Sequence, residues 1–175
     1  MQLSANFTLE EFTRSELALR RGIRNVPDAE AIENLKVTAS GMEQVRTLLG
    51  HPIFILSGFR AEVLERVLAD RDYQAWAGKR SKAISQASWA EYLLTKAHPF
   101  GWAADWVCPA FGPPAECVRA VARSDIVFDQ LIEEGGENGW THTSFAPALR
   151  GEILTARFDD RGRATYTKVE RNAFA

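Results

Sequence analysis

AHPFGWAADWV, residues 97–107, is where the chain changes character. His98 and Pro99 open a turn, Gly101 permits a bend that a side chain would resist, and GWAADWV continues as an extended run. Working back from this point, the pattern is helical almost to the N-terminus. Working forward, it is dominated by strands. The reading that follows is α+β: N-terminal helices packed on a small antiparallel sheet, with further helices just before the turn.

Upstream, Thr8 and Glu11 in TLEEF make the Ser/Thr-x-x-Glu pattern of a capping box, which predicts a helix over Leu9 to Arg20 ended by Gly22. Pro27 and Asp28 open a second helix. Its apolar positions Ile32, Leu35, Met42, Val45 and Leu49 keep helical spacing up to Gly50. In PIFILSGFR, the run Ile53 to Leu56 between Pro52 and Gly58 predicts a strand buried on both faces. Residues 61–95 read as two helices, AEVLERVLADR and SQASWAEYLLTK, joined by the polar GKRSK.

Downstream, PPAECVRAVARS predicts a helix after its prolines, and VFDQLIEE, WTHTSF, EILTARF and ATYTKV predict strands. FDDRGRAT carries the Asp and Gly chemistry of a hairpin turn. No repeat, low-complexity tract or linker divides the chain, so a single domain over residues 1–175 is expected.

Hydrophobic residues at 46% and charged residues at 25% are those of an ordinary globular chain. A net charge of −2 supplies no broad basic field, which argues against nucleic acid as a partner. The one basic concentration, Arg66, Arg71, Lys79, Arg80, Lys82 and Lys96, reads first as a solvated face. The two cysteines, Cys108 and Cys117, cannot form a four-cysteine zinc set and suggest free buried thiols. No segment approaches the roughly 20 apolar residues of a membrane span, and MQLSANFTLEEFTR lacks the apolar stretch of a secretory signal. A chain made and kept in the cytoplasm unless something else releases it is the expectation, and a monomer is the default.

His98 and Asp105, seven residues apart, can meet where a turn runs into a strand. Imidazole nitrogen and carboxylate oxygen are zinc donors, but a zinc site needs a third protein ligand. Taken alone, the pair reads first as a hydrogen-bonded structural couple. His142 in GWTHTSF, on the same side of its strand as Trp140, reads alone as a buried strand histidine. His51, in the turn LGHPI, reads as structural.

Read together, these segments resemble the zinc D-alanyl-D-alanine carboxypeptidases and their endolysin relatives, peptidases of bacterial cell-wall peptides. The family motif Ser-x-His-x-x-Gly-x-Ala-x-Asp is met by His98, Gly101, Ala103 and Asp105; FDQLIEE and WTHTS, LSANFTLEEFTRSELALRRGIRN and the strand end SGFR extend the likeness over nearly the whole chain. The resemblance implies zinc held by His98, Asp105 and His142. It implies Glu134 as general base, with Glu137 or Glu133 as alternatives because EGGENGW is about two residues longer than in relatives. Arg60 corresponds to an arginine directed at the substrate carboxylate or the developing oxyanion, and Trp140 and Trp102 are candidates to wall the cleft. Lys96 stands where the motif has serine, which puts a charge beside the substrate and leaves specificity open. The expected function is a zinc metallopeptidase cutting amides in peptidoglycan stem peptides or cross-links, of D,D-carboxypeptidase or L-Ala-D-Glu endopeptidase type, acting as a phage-type lysis enzyme. The alternative is a noncatalytic zinc-containing wall-binding or structural module of the same fold, as in the signalling domain of hedgehog proteins. Relatives reach the His98 motif soon after the SGFR strand end, so the resemblance makes residues 61–95 a helical insertion, which next to the cleft in sequence fits either a lid or wall-binding face or a peripheral packing element.

Overall fold

The computed structural model describes residues 1–174. Three helices come first: α1 Leu9–Thr13, α2 Glu16–Arg21 and α3 Ala29–Leu49. The single helix expected over Leu9 to Arg20 is therefore two. The Thr8/Glu11 capping box forms as expected, but Arg14 turns extended and Ser15 starts a new helix by accepting the Ala18 N–H at 3.2 Å. A serine at that position competes for the backbone better than it continues a helix. The longest helix, α3, runs from its Asp28 cap to Gly50 as its spacing predicts.

β1 Phe54–Ser57 is followed by α4 Glu62–Lys79 and α5 Gln86–Leu93, the two helices expected as an insertion. These have their own aromatic core, Tyr73, Trp89 and Tyr92, with Trp76 packed against it. The Tyr73 hydroxyl knits the loop between the helices, lying 2.9 Å from Ser85 O and 2.6 Å from Ser88 Oγ and accepting the Ser85 N–H at 3.1 Å. A 3-10 turn at His98–Phe100 leads into β2 Ala103–Val107, then α6 Pro114–Arg123, β3 Gln130–Glu134, β4 Trp140–Ser144, β5 Glu152–Phe158 and β6 Ala164–Val169.

The strands form one sheet in the order β1-β2-β4-β3-β5-β6. It is mixed, not purely antiparallel, because β5 runs parallel to β3. The chain must cross back after β4 to begin β5 beside β3, and the crossing segment is tied down by Asp129. That buried carboxylate accepts the Arg150 N–H at 3.1 Å, Nε at 2.8 Å and Nη2 at 2.6 Å. A second expectation is also corrected: β1 is an edge strand, so only Ile55 is buried while Phe54 and Leu56 are more than half exposed. A run of four apolar residues does not by itself distinguish a central strand from an edge.

One face of the sheet carries the main core. Ala104, Trp106, Leu131 and Ile153 pack there with Leu35, Met42 and Val45 of α3 and Val118 and Val121 of α6. Alternation along the strands sends their neighbours Asp105, Ile132 and His142 to the opposite face. Cys108 and Cys117 are free and buried, as expected. Among the described residues, no helix is long and apolar enough to cross a membrane.

Candidate metal centre

Asp105 and His142 face each other directly across the β2–β4 ladder, so their side chains leave the sheet on one side. His98 reaches the same point from the 3-10 turn. The turn is held by α3: Asn34 Nδ2 donates to Phe100 O at 2.8 Å and Thr38 Oγ1 to Gly101 O at 2.8 Å. Gly101 is in the left-handed region at φ 77°, and a Cβ there would stand 2.5 Å from Ala31 O. Only glycine lets the turn approach α3 this closely.

His98 Nε2 lies 3.2 Å and His142 Nδ1 2.9 Å from the same atom, Asp105 Oδ1. One donor atom from each of the three residues lies within 4.8 Å of the others, and each residue is only 6–7% exposed. His98 Nδ1 donates to Gly58 O at 2.6 Å, which fixes the tautomer with its lone pair on Nε2, towards Asp105. Burial, seconded by Arg60, holds the His98 pKa below the usual imidazole value, so the ring is a neutral donor. Burial alone would raise the Asp105 carboxyl, but the adjacent His98, Arg60 and His142 side chains outweigh it and hold the group well below the usual carboxylate range. Two imidazoles and one carboxylate converging on one point are the donor set zinc accepts.

Around this trio, Arg60 donates from Nη2 to Asp105 Oδ2 at 2.5 Å and from Nε to Ser57 Oγ at 3.0 Å. The guanidinium thus lies against a ligand carboxylate, where the resemblance directs it to the substrate. Asn25 brackets it, donating from Nδ2 to Phe59 O at 3.0 Å and accepting the Ala61 N–H at 2.7 Å.

Glu134 pairs with Trp140, two residues along β4 from His142, and so shares the metal face. The longer loop between them closes as a 3-10 turn at Gly136–Asn138 without disturbing that register. Burial pushes the Glu134 carboxyl up, Asp105 adds to the rise, and His142 and Arg60 oppose it. The Trp140 indole N–H acts in the same lowering sense but has no formed hydrogen bond. Glu133, one residue earlier, points to the other face and pairs with Arg157 Nη2 at 3.0 Å. Glu137 lines a depression of about 400 Å³ with Cys108, Pro113, Cys117 and Thr141. This depression and a larger one of about 490 Å³ on α3 both lie away from the trio, so donor chemistry picks out the site and surface shape does not.

Lys96 is half-buried, with Nζ 4.5 Å over the Tyr92 ring and no hydrogen bond or ion pair among the described residues. Burial pulls its pKa down, against Glu65 and Asp72. Trp140 packs on Phe158 with ring centroids 5.8 Å apart, whereas Trp102 is half-buried at the entry to β2. His51 is exposed in its turn.

Two contributors escaped the sequence reading. Tyr166 of β6 lies in the row Glu134, Ala156, Tyr166 across the sheet, so it belongs to the metal face. Burial, Glu134 and Asp72 raise its hydroxyl pKa well above the usual tyrosine value. Glu65 of α4 is 3% exposed and lies 3.6 Å from Arg60 Nη1. The insertion therefore borders the site, and α4 also reaches the β5–β6 turn through Arg71 Nη1 donating to Arg161 O at 2.7 Å. Register was the missing signal for Tyr166, and for Glu65 the sequence carries none.

Residues 5–69 match the family model described as Peptidase M15. The match, confined to the N-terminal part of the chain, agrees with the zinc peptidase resemblance read from the motifs. It covers Gly58 and Arg60, the outer partners of His98 and Asp105, and stops short of all three candidate ligands. No curated protein matches the chain.

Proposed function

We propose that this chain is a zinc metallopeptidase that hydrolyses an amide bond in peptidoglycan stem peptides or cross-links, either as a D,D-carboxypeptidase or as an L-Ala-D-Glu type endopeptidase. The observation that carries the reading is the convergence of His98 Nε2, His142 Nδ1 and Asp105 Oδ1 on one buried point. Zinc held there would bring the pKa of a water towards 7 and polarise the scissile carbonyl.

The chain's own residues do the rest. His98 stays a neutral donor, His142 offers Nδ1 to the same point, and Asp105 keeps Oδ1 available because Oδ2 is held by Arg60. Glu134, a half-buried carboxylate on the same face, takes the proton of the attacking water and returns it to the leaving amine nitrogen. Its position recommends it over Glu133, which faces the other way, and over Glu137, which sits with Cys117. Arg60 has Nε and Nη2 engaged, so only the rest of its fork can turn to a substrate oxygen. Lys96, over the Tyr92 ring and without an ion pair among the described residues, supplies a positive charge suited to a substrate carboxylate, and Trp140 walls the cleft.

The deciding experiment is purified, zinc-loaded monomer on isolated peptidoglycan, with new amino termini counted and muropeptide masses identifying the bond. No new termini with zinc bound would establish the noncatalytic wall-binding module instead. Glu134→Ala keeps zinc and loses activity under this reading; an active variant moves the base elsewhere. Lys96→Ser raises KM for carboxylate-bearing peptides and leaves their amides unaffected. The lysis role is part of the proposal and is tested by clearing of permeabilised cells.

A further inference from the structure

Glu65 is a buried carboxylate that the hydrolytic reading does not use. It stands in the first turn of α4, where an acidic residue is favourable at the helix surface and has no need of burial. Its Oε2 makes no hydrogen bond, and its one ion pair among the described residues is with Arg60 Nη1 at 3.6 Å. A carboxylate removed from water with so little compensation is costly; its charge also reaches Lys96, but Arg60 is the one cation it pairs with among the described residues.

Arg60 holds three partners at once: Ser57 Oγ through Nε, Asp105 Oδ2 through Nη2, and Glu65 Oε2 towards Nη1. A guanidinium facing one carboxylate favours a two-point fork onto both of its oxygens. On Asp105 such a fork would reach Oδ1, the atom on which the two imidazoles converge. Glu65 attracts the other arm of the fork from the side of α4.

We infer that Glu65 is a positioning residue of the metal centre: by drawing Nη1 of Arg60 away from Asp105, it confines the guanidinium to the outer oxygen Oδ2 and leaves Oδ1 to the metal. The insertion thereby becomes a working part of the centre. The inference rests on the zinc reading of the trio and not on peptide hydrolysis.

The test is zinc affinity, measured by competition with a chromophoric chelator, for wild type, Glu65→Ala, Glu65→Gln, Arg60→Ala and the Arg60→Ala/Glu65→Ala double variant. Partners of metal ligands are typically worth 10–100-fold in affinity, and with an ion pair as long as this one Glu65→Ala should cost about tenfold. Glu65→Gln, whose amide oxygen attracts the guanidinium less, should fall between. Once Arg60 is gone, Glu65→Ala should cost nothing, because there is no fork left to restrain. A merely structural glutamate would weaken zinc binding equally in both backgrounds, and that result, or full affinity in Glu65→Ala, overturns the inference. If Glu65→Ala fails to fold by circular dichroism, the near-isosteric Glu65→Gln carries the comparison in both backgrounds. Wild type that binds zinc without cleaving peptidoglycan sinks the peptidase reading alone; wild type that binds no zinc sinks both.

Discussion

Arg150→Ala should destabilise this protein more than Asp129→Ala, although the two remove the same ion pair. Asp129 is 2% exposed and takes three hydrogen bonds from Arg150, one from the backbone and two from the guanidinium, while the Arg150 side chain is half exposed. Removing the aspartate returns an arginine to water. Removing the arginine leaves a buried carboxylate with the Arg150 backbone N–H bond and a long contact from Ser144 Oγ at 3.4 Å. Breaking a buried pair from one side costs about 3–5 kcal/mol, so Arg150→Ala is placed at about 3 kcal/mol. Asp129→Ala is placed at about 2 kcal/mol, since the partner it abandons is re-solvated. Urea unfolding at neutral pH measures both, and the double variant should recover part of the Arg150→Ala loss. Acid adds a sign check. The hydrogen bonds from Arg150 hold the Asp129 carboxyl below its usual range, so the unfolded chain takes up the proton first. The stability it contributes is present above about pH 4, the unfolded value, and is lost as pH falls through the lower folded value. The gap between wild type and Asp129→Ala should therefore narrow in acid. Equal losses in the two single variants, or a gap indifferent to acid, would refute the reasoning.

Three further outcomes are expected. In Gly58→Ala the new Cβ would meet Phe12 O at 2.6 Å, so the strand end must shift and carry Gly58 O away from His98 Nδ1; we expect about 1–3 kcal/mol of lost stability together with weaker zinc binding, read by thermal melts and chelator competition. The metal-free protein should lose stability as pH falls below about 6.5, because the unfolded chain protonates at that value an imidazole that burial keeps neutral in His98; His98→Gln should flatten that slope in pH-dependent melts. Tyr73→Phe strips the Ser85 N–H of the hydroxyl it donates to at 3.1 Å and leaves Ser88 Oγ without its 2.6 Å partner, so hydrogen exchange in α4 and α5 should quicken by an amount corresponding to about 1–3 kcal/mol, with β2 and β4 unaffected.

The fold was legible where one local rule sufficed. Asp28 and Gly50 bound α3, and the FDDRGRAT turn joins β5 to β6, because caps and hairpin turns are decided by neighbouring residues. What could not be read depends on distant partners. Ile53 to Leu56 cannot reveal that no strand lies beyond β1, so the burial expected on both faces fails at Phe54 and Leu56. Nor does any local pattern state that β5 pairs with β3 in parallel; that choice rests on Asp129 and Arg150, 21 residues apart.

The site divides along the same line. Spacing and alternation alone left His98 and Asp105 a structural pair and His142 a buried strand histidine; the motif resemblance named the three together, and the turn and the β2–β4 register bring their side chains to one side. Parity also separates Glu134 from Glu133: adjacent residues on one strand cannot both face the metal, and the Glu134–Trp140 register assigns the place. Glu65 obeys no such rule. In sequence it is one of several acids on an inserted helix, and only the meeting of α4 with the end of β1 gives it Arg60. An insertion that supplies a buried charge to a ligand's partner cannot be removed as decoration. Excising residues 61–95 would free the Arg60 fork to turn on Asp105, so the loss expected first is metal affinity, before any loss of the sheet that carries the ligands.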